Sequence, residues 1–114
     1  MKGIYVSAAV SLILAAMPAQ AEKTYTPEQL RKMVQSGKYP AQGPLAREET
    51  TRMSWVDCLA KTEAIIGAVT PTYPSTKLVD TKIMTSTKVW VNDSAMTVSC
   101  YADGRLHLTS APYK

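Results

Sequence analysis

The apolar positions of the chain follow two periods, and the change from one to the other separates a helical part from an extended part. In the helical part, Leu30, Met33 and Val34 recur at the i, i+3, i+4 spacing of one helix face. The preceding Thr-Pro-Glu-Gln at 26–29 is typical of a capping box with proline at the first helical position, and Gly37 is a stop signal. These signals predict a short helix between the capping box at 26–29 and Gly37.

A second, longer helix is predicted to begin after Ser54. Serine is a preferred N-cap residue, and the negative charge of Asp57 in the first turn suits a helix N-terminus. The apolar stripe of this helix consists of Cys58, Leu59, Thr62, Ile65, Ile66 and Val69. Pro71 and Pro74 end it. Before this helix, residues 38–47 hold two prolines and a glycine, which predicts an extended connector.

From Thr76 the period changes to two, which indicates β-structure. Residues 76–91 alternate without interruption and are rich in threonine and valine, so they predict one long strand. Residues 96–101 and 105–109 predict two further strands, each preceded by a turn signal. The predicted fold class is therefore α+β, with two N-terminal helices packed on a three-stranded antiparallel meander.

The register of the meander follows from the requirement that apolar side chains share one face, because a slip of one residue moves every side chain to the other face. A two-residue turn after the first strand pairs Val89 with Val98. A three-residue loop that ends at Gly104, with this glycine in the left-handed conformation of a bulge, pairs Cys100 with Leu106. Both choices place apolar residues opposite one another.

The first 21 residues have the layout of a secretory signal peptide. A single lysine precedes an apolar run over residues 4–16, and Ala19 and Ala21 form the A-x-A pattern that signal peptidase cuts. The run is shorter than the roughly 20 residues that a membrane span needs, and no cysteine follows the cut to carry a lipid. We expect residues 1–21 to be removed. Residues 22–114 are then a single small periplasmic or secreted domain without stable membrane insertion.

The two cysteines, Cys58 and Cys100, are predicted to form a disulfide. An even cysteine count in an exported chain favours a bond, and both residues point into the predicted interface between helix and sheet. Their spacing is not C-x-x-C, and with the single histidine, His107, they cannot complete the four-ligand set of a structural zinc site. We expect the bond to tie the second helix to the middle strand, and we expect no metal and no cofactor.

Charge and motifs argue against several functional classes. Residues 22–114 carry 12 Lys and Arg against 9 Asp and Glu, and the basic residues are spread singly rather than clustered as in nucleic-acid-binding domains. The sequence has no P-loop, dinucleotide fingerprint, EF-hand loop or G-x-S-x-G motif. We therefore expect neither a nucleic-acid partner nor an enzyme.

The face of the meander opposite the second helix carries the candidate binding surface. Tryptophan, tyrosine and arginine are the residues that dominate interaction hot spots, and this face combines them with a lysine and the histidine. The five residues are Lys88, Trp90, Tyr101, Arg105 and His107. The predicted register sets Trp90 opposite Thr97, Tyr101 opposite Arg105 and Ser99 opposite His107. A simpler interpretation is that the 38–47 connector covers Trp90 and the rest is an ordinary solvated face.

The leading functional hypothesis is a non-enzymatic binding protein that acts through this surface on another envelope or secreted protein, as inhibitors, immunity proteins and secretion or envelope accessory proteins do. One alternative is a small envelope hydrolase that uses His107 with a carboxylate. The other is a ligand- or glycan-binding module that stacks a sugar on Trp90 or Tyr101. A cleft around His107 would favour the hydrolase. A flat, open sheet face would favour the protein binder, and an enclosed apolar pocket would favour the ligand binder.

Overall fold

The computed structural model describes residues 21–114, so the signal peptide predicted for residues 1–21 lies outside the described residues except for Ala21. Two helices and one five-stranded antiparallel sheet make up this part. The helices are α1 (Pro27–Gln35) and α2 (Trp55–Val69). The strands are β1 (Arg47–Arg52), β2 (Ser75–Asp80), β3 (Met84–Trp90), β4 (Ser94–Tyr101) and β5 (Arg105–Pro112). They lie in the order β1-β5-β4-β3-β2. The α+β class is confirmed.

The signals at both helix starts are confirmed in detail. The backbone N–H of Gln29 donates to the Thr26 hydroxyl (3.2 Å), and the Gln29 side chain accepts from the Thr26 N–H (2.8 Å), which completes the capping box of α1. At α2, the Asp57 N–H donates to the Ser54 hydroxyl (3.1 Å). Gly37 follows α1 with φ +75°, the left-handed conformation that terminates helices.

The predicted three-stranded meander is wrong, because the sheet has five strands. Residues 76–91 do not form one strand: β2 and β3 are two strands of a hairpin that turns at Thr81. The Thr81 hydroxyl accepts from the Met84 N–H (3.0 Å), and the Thr81 N–H donates to the Met84 carbonyl (2.9 Å). This turn has no glycine, proline or asparagine, and the two-residue alternation continues through it, so the pattern gave no sign of it.

The second extra strand, β1, occupies the position where the sequence predicts the end of the connector and the residues after it. Its sequence, Arg-Glu-Glu-Thr-Thr-Arg, is polar throughout and all six residues are exposed. It is held by antiparallel pairing with β5, from Arg47 opposite Ser110 to Arg52 opposite Arg105. The predicted placement of both helices ahead of the strands is therefore wrong, since β1 lies between them. A charged, short edge strand of this kind discourages pairing with other chains.

The register predictions have different outcomes in the two hairpins. Between β4 and β5, Cys100 lies opposite Leu106 and Val98 opposite Leu108, and Gly104 has φ +99°, so the three-residue loop is confirmed. Between β3 and β4 the two-residue turn lies one position earlier than predicted, because the Val91 N–H donates to the Ser94 carbonyl (2.9 Å), and Val89 lies opposite Met96 instead of Val98. The pairing partner on β4 is shifted by two residues, so each side chain remains on the face of the sheet that was predicted for it.

Each helix packs on a different face of the sheet. The face that contacts α2, called the inner face, carries the apolar cluster Val98, Cys100, Leu106 and Leu108 around Cys58. The opposite face, called the outer face, carries Trp90 and Ala95, which form a second cluster with Leu30 of α1 and with Tyr113. Within residues 21–114, neither helix is long and apolar enough to cross a membrane.

The predicted disulfide is confirmed and joins α2 to the middle strand of the sheet. Cys58 and Cys100 are both fully buried, with their Cα atoms 5.8 Å apart. Thr62, one turn further along α2, donates its hydroxyl to the Cys58 carbonyl (2.9 Å), and its oxygen lies 3.3 Å from the Cys100 Sγ. The bond therefore lies at the centre of the interface between helix and inner face.

Candidate functional site

All five residues of the predicted surface lie on the outer face, but they divide into a covered part and an open part. Lys88 and Trp90 are on β3, where α1 and the connector pack. Tyr101, at the end of β4, lies opposite Arg105 of β5, and Ser99 lies opposite His107, as predicted. The predicted pairing of Trp90 with Thr97 is wrong, because Trp90 lies opposite Ala95.

Trp90 is a core residue. Its side chain is 2% exposed and packs against Leu30 and Tyr113. The ring of Tyr39, from the connector, stacks on it with centroids 5.2 Å apart and an interplanar angle of 13°. The connector therefore covers Trp90, which is the simpler of the two interpretations of this residue. Loss of the indole would open a large cavity, so Trp90→Ala is expected to cost roughly 3–5 kcal/mol of stability.

Lys88 is held against the same covered region. Its Nζ donates to Gln42 Oε1 (2.6 Å) and lies 5.3 Å from the centroid of the Trp90 ring. Partial burial lowers the pKa of the Lys88 ammonium. A side chain bonded to the connector and seated over an internal indole has little freedom to meet a partner. Lys88 and Trp90 therefore belong to the covered part of the outer face.

Tyr101 and Arg105 form the exposed part of the predicted surface. The Arg105 guanidinium lies 4.3 Å from the centroid of the Tyr101 ring, and its Nε donates to both carboxylate oxygens of Asp103 at 3.0 Å. The hydrogen bond to Asp103 raises the pKa of Arg105 further above its ordinary range. The tight loop that ends at Gly104 places these three side chains together. The result is an arginine already oriented before any partner arrives.

His107 is paired with a carboxylate that the sequence did not identify. Its Nε2 lies 3.1 Å from Glu48 Oε2 of β1. Ser99, directly opposite His107, is buried, and its hydroxyl bonds that of Ser86 (3.1 Å) instead of the imidazole. A histidine and a carboxylate are thus paired, but the nearby Ser99 hydroxyl bonds Ser86 and does not contact the imidazole. Among residues 21–114, no cluster of three or more His, Cys, Asp or Glu side chains is placed to hold a metal ion.

A separate groove opens on the inner face, between α2 and the β2–β3 hairpin. Its volume is about 610 Å³, within the usual range of small-molecule sites. Trp55, Leu59 and Ile66 of α2 form the apolar wall, and Thr85 and Thr87 of β3 form part of the floor. The groove could not be predicted from the sequence, because residues 76–91, which form the β2–β3 hairpin at one of its walls, were expected to be a single strand.

Arg52 of β1 was also missed, since the segment was interpreted as connector or loop. It lies directly opposite Arg105 and is exposed. Within the described part of the chain, Arg105 has an ion-pair partner in Asp103 and Arg52 has none. Like charges directly opposite in a sheet repel, so this corner of the outer face has a positive charge that is not fully balanced.

Comparisons with protein families, with characterised proteins and with solved structures gave no match.

Proposed function

We propose that this protein is an exported, non-enzymatic binding protein that acts through the open part of the outer face on another envelope or secreted protein. The contact surface in this proposal is the corner formed by Arg52, Tyr101, Arg105 and His107, called the arginine corner below. The alternative, a hydrolase that uses His107 with a carboxylate, has the His107–Glu48 pair in its favour.

The single observation that carries the proposal is the Arg105–Tyr101 stack fixed by Asp103. Tyrosine and arginine are enriched among residues that dominate binding energy. Ordering a flexible side chain at an interface costs about 0.5–1.5 kcal/mol, and an arginine that is already oriented avoids part of this cost. Neither of the two helices within residues 21–114 covers the stack, since α1 packs at the Trp90 end of this face and α2 packs on the other face.

The charge of the arginine corner indicates the chemistry of the partner. Arg52 and Arg105 face one another on neighbouring strands, and one carboxylate, Asp103, pairs with Arg105. A carboxylate from a partner could bind both guanidinium groups and remove their repulsion. Arginine is well suited to this, because its planar fork binds carboxylates through two hydrogen bonds. The partner in this proposal is therefore a protein with an acidic segment at the contact.

The experiment is affinity capture with processed protein purified from the periplasm, followed by calorimetric titration of the captured partner. Arg105→Ala and Tyr101→Ala should each weaken binding by about thirtyfold or more, the effect of losing about 2 kcal/mol. Lys61→Ala, which removes an exposed lysine on α2, is the charge-matched control and should bind normally. Affinity should also fall as salt is raised.

The proposal is wrong if the partner binds the Arg105 and Tyr101 variants as tightly as the unchanged protein. A hydrolytic activity that is lost in His107→Ala and in Glu48→Gln, but kept in Arg105→Ala, would instead establish the hydrolase. His107→Ala therefore serves as the variant that separates the two functions, since the binding proposal assigns this residue no proton transfer.

A further inference from the structure

We infer that the groove between α2 and the β2–β3 hairpin is a second binding site, and that its ligand is a neutral carbohydrate. This site lies on the inner face, opposite the arginine corner, and does not depend on the function proposed above. Three features of the groove carry the inference: its free hydroxyl groups, its tryptophan wall and its charge.

The floor of the groove carries two threonine hydroxyls that have no hydrogen-bond partner among residues 21–114. Thr85 and Thr87 are 7% and 8% exposed, so both are more than nine-tenths buried, and both line the groove. Neither side chain makes a hydrogen bond with the described residues. In that part of the chain, the only fully enclosed side-chain nitrogen or oxygen without a partner is Trp90 Nε1. The two hydroxyl oxygens therefore keep some accessible surface, and both residues line the groove.

Buried hydroxyls that face a cavity identify the kind of ligand that fills it. A purely apolar ligand would leave both threonine hydroxyls unpaired, which costs about 1–3 kcal/mol for each group. An extended peptide usually binds by adding a strand to a sheet edge. Here the floor is β3, whose backbone is already paired with β2 on one side and β4 on the other. The floor of the groove thus offers side-chain hydroxyls and no free strand edge, and the free edge on this side of the sheet belongs to β2, which forms part of a wall.

The helix wall supplies the apolar surface that a sugar ring needs. Trp55, in the first turn of α2, is partly exposed at the groove, and Leu59 and Ile66 continue the wall along the helix. The C–H face of a pyranose ring is apolar while its edge carries hydroxyls. An indole on one side and hydroxyls on the other complement these two surfaces.

The charge of the lining argues against an anionic ligand. Glu63 of α2 and Asp80 of β2 line the groove together with one cation, Lys77. Lys77 Nζ lies 3.8 Å from Asp80 Oδ2, so this cation is already near a carboxylate. Glu63 then contributes an unbalanced negative charge, and its oxygens can accept hydrogen bonds from sugar hydroxyls. A phosphate or sulfate group would be repelled.

The test is a titration of the processed protein with oligomers of N-acetylglucosamine. Binding is monitored by the change in tryptophan fluorescence. The two tryptophans separate the signals: Trp55 borders the groove, whereas Trp90 is buried under Tyr39. Trp55→Phe should abolish the ligand-dependent fluorescence change. Thr85→Val and Thr87→Val keep a β-branched side chain of nearly the same size but remove the hydroxyl, and each should weaken binding about tenfold, the equivalent of one lost hydrogen bond.

Two control variants complete the experiment. Thr97→Val removes a hydroxyl from the outer face and should leave the affinity for the oligomer unchanged. Arg105→Ala, which alters the arginine corner, should also bind the oligomer normally, so this test can fail or succeed independently of the proposed function. Equal melting temperatures for the valine variants establish that folding is intact. Absence of saturable oligomer binding, equal affinity in all variants, or preference for a tripeptide or a fatty acid probe would overturn the inference.

Discussion

Replacing Cys58 and Cys100 together by alanine should lower the free energy of unfolding by about 4 kcal/mol. The bond spans 42 positions of the sequence. In the chain-entropy model, closing a loop of this length removes about 13 cal/mol/K from the unfolded ensemble, which is about 4 kcal/mol at 25 °C. Loss of two buried sulfur atoms from the Cys58–Val98–Leu106 cluster acts in the same direction.

This magnitude is a large share of the 5–15 kcal/mol that stabilises an ordinary domain. In a domain of fewer than 100 residues, each lost kcal/mol lowers the melting temperature by about 4–8 °C. The double variant should therefore melt roughly 16–32 °C below the unchanged protein, or fail to fold at 37 °C. The double substitution is preferred to a single one, because a single change leaves a free buried thiol.

The assay is urea unfolding of the oxidised protein, of the same protein with reductant, and of the double alanine variant. The reduced protein and the variant should have similar midpoints, both far below that of the oxidised form. Intact mass, measured with and without reductant, verifies the bond. A loss of less than about 1 kcal/mol would refute the reasoning, since it would mean that the unfolded chain is already as restricted without the bond as with it.

Three further predictions concern the loop, the cap and pH. Gly104→Val should destabilise the protein more than Gly104→Asn in chemical denaturation, because φ +99° strains a β-branched residue while asparagine tolerates positive φ; equal losses would contradict the bulge. Ser54→Ala should cost about 1 kcal/mol and Ser54→Gly only a few tenths, since the lost hydroxyl accepts from the Asp57 N–H; equal losses would exclude capping as the cause. Burial raises the pKa of Tyr113 above its ordinary value of 10.0, so the native state retains this proton where the unfolded state loses it. Stability should therefore fall as pH rises above about 10, and Tyr113→Phe should reduce this slope in urea titrations at pH 8 and 11; an unchanged slope would assign it to other groups.

Features that depend on neighbouring residues could be predicted from the amino-acid sequence. The capping box at Thr26, the serine cap at Ser54 and the loop that ends at Gly104 each satisfy backbone groups or a backbone conformation within a few positions. The pairing of Cys58 with Cys100 could also be predicted, because both lie on an apolar stripe and the chain contains no other cysteine. In the candidate surface, the same reasoning correctly placed Tyr101 opposite Arg105.

Features that depend on distant segments could be recognised only in the assembled fold. Strand β1 has no apolar residue to mark it, and it exists as a strand because its backbone pairs with β5, more than 50 positions later. Trp90 has the composition of an exposed anchor, but Leu30, Tyr39 and Tyr113 converge on it from three separate segments and bury it. The groove above Thr85 and Thr87 also depends on assembly, since its two walls come from α2 and from the β2–β3 hairpin. Backbone pairing and the convergence of remote side chains are set by the whole chain, and no local pattern specifies them.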